Sequence, residues 1–166
     1  MTQPRQVASS SVERTYYLIA GVYTLSASLI WGVNTMFLLG AGVSLMQASL
    51  ANAIFTGSMA LFEVPTGIVA DTKGRRASFL LSVTLLIVGT LAYVAVGEWG
   101  GGMTGIVVAS IVLGLGYTFY SGAVEAWLVD ALQASGYEGP VDRVLARGSM
   151  ISSIAPSFHA RRMRTR

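Results

Sequence analysis

The longest uncharged stretch of this sequence constrains its fold more than any other feature. No Asp, Glu, Lys or Arg occurs between Arg14 and Glu63, and only 11% of all residues are charged, whereas 53% are hydrophobic. Soluble domains carry about 25% charged residues, and a soluble fold could not bury so long an uncharged segment. We therefore expect a membrane protein that crosses the bilayer with helices.

Four apolar runs divide the chain, and each has roughly the 20 residues that a helix needs to cross about 30 Å of hydrocarbon. The predicted transmembrane helices cover about residues 16–39, 48–70, 77–96 and 103–128. The first run is too long for a signal peptide, and no small-residue cleavage site follows a short apolar core. Residues 1–15 are polar and are predicted to form a disordered cytoplasmic tail.

The basic residues predict the orientation of these helices. They precede the first helix, lie between the second and third, or follow the fourth, and the other two connections contain none. The positive-inside rule then places both termini in the cytoplasm. The helices themselves are expected to cross the inner (plasma) membrane of the cell. The net charge of +3 is accordingly assigned to topology and not to nucleic-acid binding. The basic residues are Arg5, Arg14, Lys73, Arg75, Arg76, Arg143, Arg147, Arg161, Arg162, Arg164 and Arg166.

Residues 131–166 are predicted to be a cytoplasmic segment. Within it, residues 147–156 resemble the approach to a fifth helix, but the apolar stretch is too short to span a membrane and a basic tail follows. We expect that the chain is truncated, or its reading frame disrupted, before a fifth helix. A short basic amphipathic tail on the membrane surface is the alternative.

A charged loop, residues 67–76, is predicted between the second and third helices. Gly67 would let a neighbouring backbone approach closely, and Gly74 would allow a tight reversal because glycine tolerates positive φ. Asp71 needs a positive partner or the N-terminus of another helix. Arg75 can bind a carboxylate with two parallel hydrogen bonds.

The spacing G-x-x-x-D-x-x-G-R-R in this position resembles the loop signature of the major facilitator superfamily (MFS). The Phe-Glu-Val-Pro-Thr-Gly sequence of residues 62–67 and the end of the fourth helix, residues 121–130, are also similar to that family. The resemblance covers about residues 16–150 and implies an all-α membrane protein, the first four helices of a twelve-helix fold. Thr72 stands where the family often has an arginine.

The resemblance also implies a cytoplasmic gate. In the family, the loop aspartate and arginine join a carboxylate at the end of helix four, and this network closes the cytoplasmic side when the protein faces outward. We expect an ion pair between Arg75 and Asp130, within reach of Asp71. The arginine that many drug–proton exchangers carry in the core of helix four is absent here, so their proton coupling is not implied by that residue. The expected gate residues are Gly67, Asp71, Gly74, Arg75, Arg76 and Asp130.

Two acids and one amide lie inside the predicted helices. Glu63 precedes Asp71 by about 12 Å along a helix, and Glu125 precedes Asp130 by about 7 Å. The predicted spans hold no Lys, Arg or His to pair with either acid. Each acid faces a water-filled cavity, is protonated, or has its partner on a helix missing from this chain. As a functional group it would bind a proton or a cationic substrate, and otherwise it is a hydrogen-bonded structural acid near the interface. Asn34 either lines a substrate path or hydrogen-bonds a neighbour.

Packing inside the bilayer gives two further expectations. Pro65 should kink the second helix just before the charged loop. The fourth helix is rich in small residues such as Gly114 and Gly116, which predicts close helix packing there.

The favoured function is that of a secondary transporter of a small solute, with efflux and proton coupling as candidate features, which rocks two six-helix halves about a central site. Its partners would be the lipid bilayer and the missing C-terminal helices, and the sequence does not identify the substrate. The alternative is an autonomous four-helix protein, either a dimeric small exporter or a non-transport scaffold. We expect no enzyme, cofactor or metal, because the chain lacks cysteine, a nucleophile with its base and a phosphate-binding loop.

Overall fold

The computed structural model describes residues 3–150, with side chains from Ser9 onward, and this part of the chain is entirely helices and short turns. A further helical segment, residues 141–150, follows the four long helices. All four long helices have the length and composition to cross a membrane. The predicted all-α architecture, with four helices long and apolar enough to cross a membrane, is therefore confirmed for the described residues. In chain order, α1 is Gln3–Gly40, α2 is Leu45–Lys73, α3 is Arg75–Trp99 and α4 is Gly102–Ala134.

Each helix extends past the apolar run that predicted it. α1 already begins at Gln3, so the prediction of a disordered tail over residues 1–15 is wrong for residues 3–15. Pro4 falls in the first turn, where a helix needs no backbone N–H, and no glycine interrupts the chain before Gly21. α4 likewise continues beyond Asp130 to Ala134.

The α1–α2 connection is shorter than the predicted turn at residues 40–47 and is held by two capping motifs. At the end of α1, Gly42 has a φ of 81°, and the Val43 N–H donates to the Leu38 carbonyl at 3.0 Å, as in a Schellman motif. α2 then begins with a capping box, in which Ser44 and Gln47 exchange side-chain to backbone hydrogen bonds. These bonds satisfy polar groups that two helix ends would otherwise leave without partners.

The helices divide into two compact units, which we call the central unit (residues 33–124) and the terminal unit (the described residues 3–32 and 125–150). The core of the central unit is made by small and medium side chains of all four helices. Leu38, Ala51, Tyr93 and Ala109 are buried there, and Val96 is packed beside them. The alanines among them, Ala51 and Ala109, allow the helices to lie close together.

Glycines bring α4 against its neighbours in the central unit, as its sequence predicted. A Cβ added to Gly114 would lie 2.0 Å from the Ser58 Oγ of α2, and one added to Gly116 would lie 3.1 Å from the Leu86 side chain of α3. On α3, a Cβ at Gly89 would meet the side chain of Leu113 at 2.7 Å. Larger side chains at these glycines would force the helices apart.

The terminal unit has its own buried contacts. Tyr16 of α1, Leu128 and Leu132 of α4, and Val144 of the helical segment 141–150 are all buried. A Cβ on Gly148 would lie 2.5 Å from the Tyr16 ring. Of the predicted approach to a fifth helix, residues 147–150 are helical, and residues 151–166 lie outside the described part of the chain.

Large apolar side chains cover the outer surfaces of the helices. On α1 and α3 they recur along nearly the whole apolar length, and many are more than half exposed. Such surfaces are unfavourable in water and suit contact with lipid or with other membrane helices. Examples are Leu18, Val22, Leu25, Leu29, Leu80, Ile87, Val88 and Leu91.

Candidate functional site

The candidate site is the connection between α2 and α3, and it is a single residue long. α2 ends at Lys73 and α3 begins at Arg75, so Gly74 alone separates them. The prediction of a ten-residue loop is therefore wrong, because residues 67–73 continue α2 and contain no glycine or proline after Gly67. The predicted reversal at Gly74 is confirmed: its φ of 91° and ψ of 151° lie in a region that only glycine occupies readily.

An ion pair bridges this break in the helices. The Arg75 Nη1 donates to the Asp71 Oδ1 four residues earlier, which places the first charged residue of α3 against the last turn of α2. The Arg75 side chain is 27% exposed and that of Asp71 is 69% exposed. A pair this open to solvent contributes little to folding, about 0–1 kcal/mol.

The dipoles of the two helices favour some of these charges and oppose others. Lys73 lies in the last turn of α2, where a cation is favourable. α3 has no acid in its first turn and no side-chain cap at Gly74, so its first amides have no capping side chain. Arg75 and Arg76 lie at this same N-terminus, where a cation is unfavourable.

The remaining predicted gate residues lie on both units. Asp130 belongs to the terminal unit, near the end of α4, and the Arg75–Asp130 pair stays a prediction. Arg76 is exposed. No atom of another described element lies within 4 Å of a Cβ built on Gly67, so the close approach predicted at this glycine does not occur within the described residues.

The two membrane acids are both exposed. Glu63 lies on α2 beside Pro65, where the helix continues without interruption, and Thr66 donates to the carbonyls of Phe62 and Glu63. Glu125 lies on α4 in the terminal unit. Their predicted roles as proton or cation sites stay predictions.

Asn34 has the hydrogen-bonding neighbour that one of its two interpretations required. Its side-chain Nδ2 donates to the Oδ1 of Asn52 at 3.2 Å, joining α1 to α2 in a half-buried position. The sequence reasoning missed Asn52, although an amide in an otherwise apolar run is a signal for such a contact. A role for Asn34 in a substrate path stays a prediction.

A second polar contact and a cavity lie toward the other end of the central unit. The Tyr93 hydroxyl of α3 and the Ser110 hydroxyl of α4 are buried and lie 2.8 Å apart. Near them is a cavity of about 220 Å³, which Phe37, Val96 and Ile106 help to line. It contains none of the predicted site residues, and sequence periodicity gave no sign of it.

No group of three or more His, Cys, Asp or Glu side chains that could hold a metal ion occurs in the described part of the chain. Comparison with protein-family models, curated proteins and solved structures found no match to this chain. The interpretation of the site therefore depends on its own residues and geometry.

Proposed function

We propose that this chain supplies the first four helices of a secondary transporter of the major facilitator type, which moves a small solute across the inner (plasma) membrane. The α2–α3 connection is the observation that carries the proposal. Two membrane-length helices meet there at one glycine, and an arginine is held by an aspartate across the junction. An ordinary loop between spans needs neither feature, whereas a gate that opens and closes needs an oriented charge.

In the proposed mechanism, the Arg75 guanidinium is the mobile partner of the gate. Asp71 is exposed and holds Arg75 weakly, so a second carboxylate can compete for the same guanidinium, which has several N–H donors. Asp130 is the proposed competitor in the state that is closed to the cytoplasm. Opening would return Arg75 to Asp71 as the two halves of the transporter rock about a central site.

An autonomous four-helix exporter is the second candidate, and the exposure of Glu63 favours it. An acid on the exposed face of a membrane helix can lie at the centre of a dimer interface when two copies of the chain associate. This candidate assigns no role to the α2–α3 connection, which is why the larger transporter is the first proposal.

The first experiment is to read the source DNA beyond codon 155 in all three frames. Eight further apolar segments support the larger transporter, and unrelated sequence places the four-helix exporter first. In the restored transporter we expect Asp71→Asn to lower the transport rate by about tenfold, within the range of coupling between two states of a protein. The matched control is Glu98→Gln, an exposed acid at the other end of α3, which should leave the rate unchanged.

A further inference from the structure

The cavity beside Tyr93 lies at the end of the central unit opposite Gly74. The end of α1, the start of α2, the last two turns of α3 and the start of α4 line it, together with both connections at that end. Its volume of about 220 Å³ exceeds the roughly 150 Å³ of an engineered cavity that binds benzene. Scaling from that case gives space for about nine non-hydrogen atoms, which is one ring with a short substituent.

Glycines fix the position of two side chains in the cavity wall. The Phe37 ring lies against Gly97, because a Cβ added to this glycine would meet the Phe37 Cζ at 2.5 Å. Val96 lies against Gly105 in the same way, at 2.6 Å. A larger residue at either glycine would displace the side chain beside it, since a close-packed interior has no room to spare. The wall is therefore packed, which favours a site of fixed shape.

The lining excludes a charged ligand. None of the described residues that line the cavity is an Asp, Glu, Lys, Arg or His, and a charge without a partner is costly to bury. An uncharged, largely apolar molecule suits this lining. Most of the lining side chains are apolar or aromatic: Phe37, Leu38, Val43, Val96, Met103 and Ile106.

The polar side chains of the lining offer hydrogen-bond donors. Tyr93 and Ser110 share one hydrogen bond of 2.8 Å, in which either hydroxyl can donate. When Ser110 donates, the Tyr93 proton has no acceptor among the described residues, and Tyr93 is the member of the pair that lines the cavity. Tyr93 is only 9% exposed, so an unused O–H group is costly there. Gln47 accepts from the Ser44 N–H with its Oε1, which leaves its NH₂ group as a second donor.

We propose that this cavity binds a small uncharged molecule in which an apolar ring or chain carries a carbonyl or ether oxygen. The oxygen accepts a hydrogen bond from the Tyr93 hydroxyl while Ser110 donates to that same hydroxyl, so that both protons of the pair are used. The apolar body of the ligand contacts Phe37, Val96 and Ile106. The inference goes beyond the proposed transporter, because no predicted gate residue lines the cavity. Failure of the gate and failure of ligand binding are therefore separate results.

The test compares three probes that have the same number of non-hydrogen atoms. Acetophenone carries a carbonyl group, isopropylbenzene has no polar atom, and benzoate is charged. Each is titrated calorimetrically into the full chain in detergent micelles, and the heat measured with micelles alone is subtracted. We expect acetophenone and isopropylbenzene to bind, and benzoate to show no binding because the lining offers it no cation.

Two variants separate the hydrogen bond from the packing. Tyr93→Phe keeps the ring but removes the donor, and it should weaken acetophenone binding by about twofold to tenfold, the range of one neutral hydrogen bond. It should leave isopropylbenzene binding unchanged. Ser110→Ala removes the other hydroxyl and should preserve acetophenone binding, because the Tyr93 hydroxyl can then donate only to the ligand. A purely structural role of the pair predicts instead that each variant weakens both probes equally.

A third variant fills the cavity. Ile106 is 2% exposed and lines the cavity, so the larger side chain of Ile106→Phe has this space as its nearest room. Binding of both uncharged probes should be lost. Ile111→Phe is the matched control, because Ile111 is an exposed residue of α4 outside the lining. The comparison of probes in Tyr93→Phe does not depend on the folding of Ile106→Phe.

Four results would each overturn the proposal. They are no binding of acetophenone, binding of benzoate as tight as that of acetophenone, an equal effect of Tyr93→Phe on both uncharged probes, and unchanged binding in folded Ile106→Phe. Displacement of acetophenone by phospholipid would also overturn it, because that result would assign the cavity to an acyl chain.

Discussion

The two ends of the central unit connect their helices in opposite ways. At the charged end, Gly74 alone joins α2 to α3, no side chain caps α3, and an ion pair crosses the junction. At the other end, which carries Glu98 but no Lys or Arg, Ser44 and Gln47 cap α2, and the N–H groups of Gly100 and Gly101 both donate to the Val96 carbonyl at the end of α3. One end depends on charges, and the other depends on hydrogen bonds that complete the helix termini.

This difference reflects two requirements of a pair of membrane helices, a defined orientation and hydrogen-bonded helix ends. Lys and Arg remain on the cytoplasmic side, so a charged connection determines orientation. A connection without charges has only its backbone geometry and caps to hold it. The predictions below test this comparison.

The largest expected effect is on the side from which each connection can be labelled. Thr72→Cys and Ala41→Cys place single thiols at exposed positions, one beside Gly74 and one in the α1–α2 connection. In sealed vesicles of known orientation, an impermeant maleimide should label Thr72→Cys only from the cytoplasmic side and Ala41→Cys only from the opposite side. The cysteine-free parent is the control. Labelling of both from one side would refute the predicted topology.

The next effect concerns two of the glycines with positive φ, Gly74 and Gly42. Gly74→Ala should lower the free energy of unfolding by about 1–3 kcal/mol, because its conformation is nearly exclusive to glycine. Gly42→Ala, at a φ of 81°, should cost about 1–2 kcal/mol. Unfolding in mixed micelles measures both. Gly57→Ala is the control, since this helical glycine has open space and alanine should stabilise α2 by up to about 1 kcal/mol.

A smaller effect is expected at the cap of α2. Ser44→Ala removes the oxygen that accepts from the Gln47 N–H at 3.3 Å and should lower the free energy of unfolding by about 1 kcal/mol. Ser49→Ala is the matched control, because this exposed serine bonds only to the carbonyl of Leu45 in its own helix. Equal costs for the two variants would show that the cap does not stabilise this end.

The smallest effect on stability is expected at the ion pair. Asp71→Asn should lower the free energy of unfolding by no more than about 0.5 kcal/mol, because the pair is exposed and costs side-chain entropy to form. This loss should disappear in about 1 M salt, which screens surface charges. A loss of several kcal/mol would mean that Asp71 is a structural residue, and the proposed exchange of Arg75 between two acids would fail.

The sequence predicted the helices well and their ends less well. The four helices could be predicted from the length of the apolar runs and from their lack of charge, because a lipid bilayer requires both of a helix that crosses it. The charged loop was predicted too long, since Asp71, Thr72 and Lys73 are polar but remain compatible with a helix. Only Gly74 interrupts the helical conformation. Polarity alone does not distinguish the end of a helix that extends into water from a loop.

The candidate site was predictable in part. The glycine reversal at Gly74 follows from its residue type, whereas the Asp71–Arg75 pair across the break requires the geometry of the turn. The Asn34–Asn52 and Tyr93–Ser110 contacts join different helices, and periodicity within one helix does not give the rotation of its neighbour. The exposure of Glu63 could not be predicted for the same reason.

A one-residue connection also limits how far two helices can move. Two peptide units separate the Cα atoms of Lys73 and Arg75, so these atoms can never be more than about 7 Å apart. In any state of the protein, the ends of α2 and α3 that meet at Gly74 therefore move together. The opposite ends have no such covalent constraint, so any separation of the two helices would be largest there and smallest at Gly74.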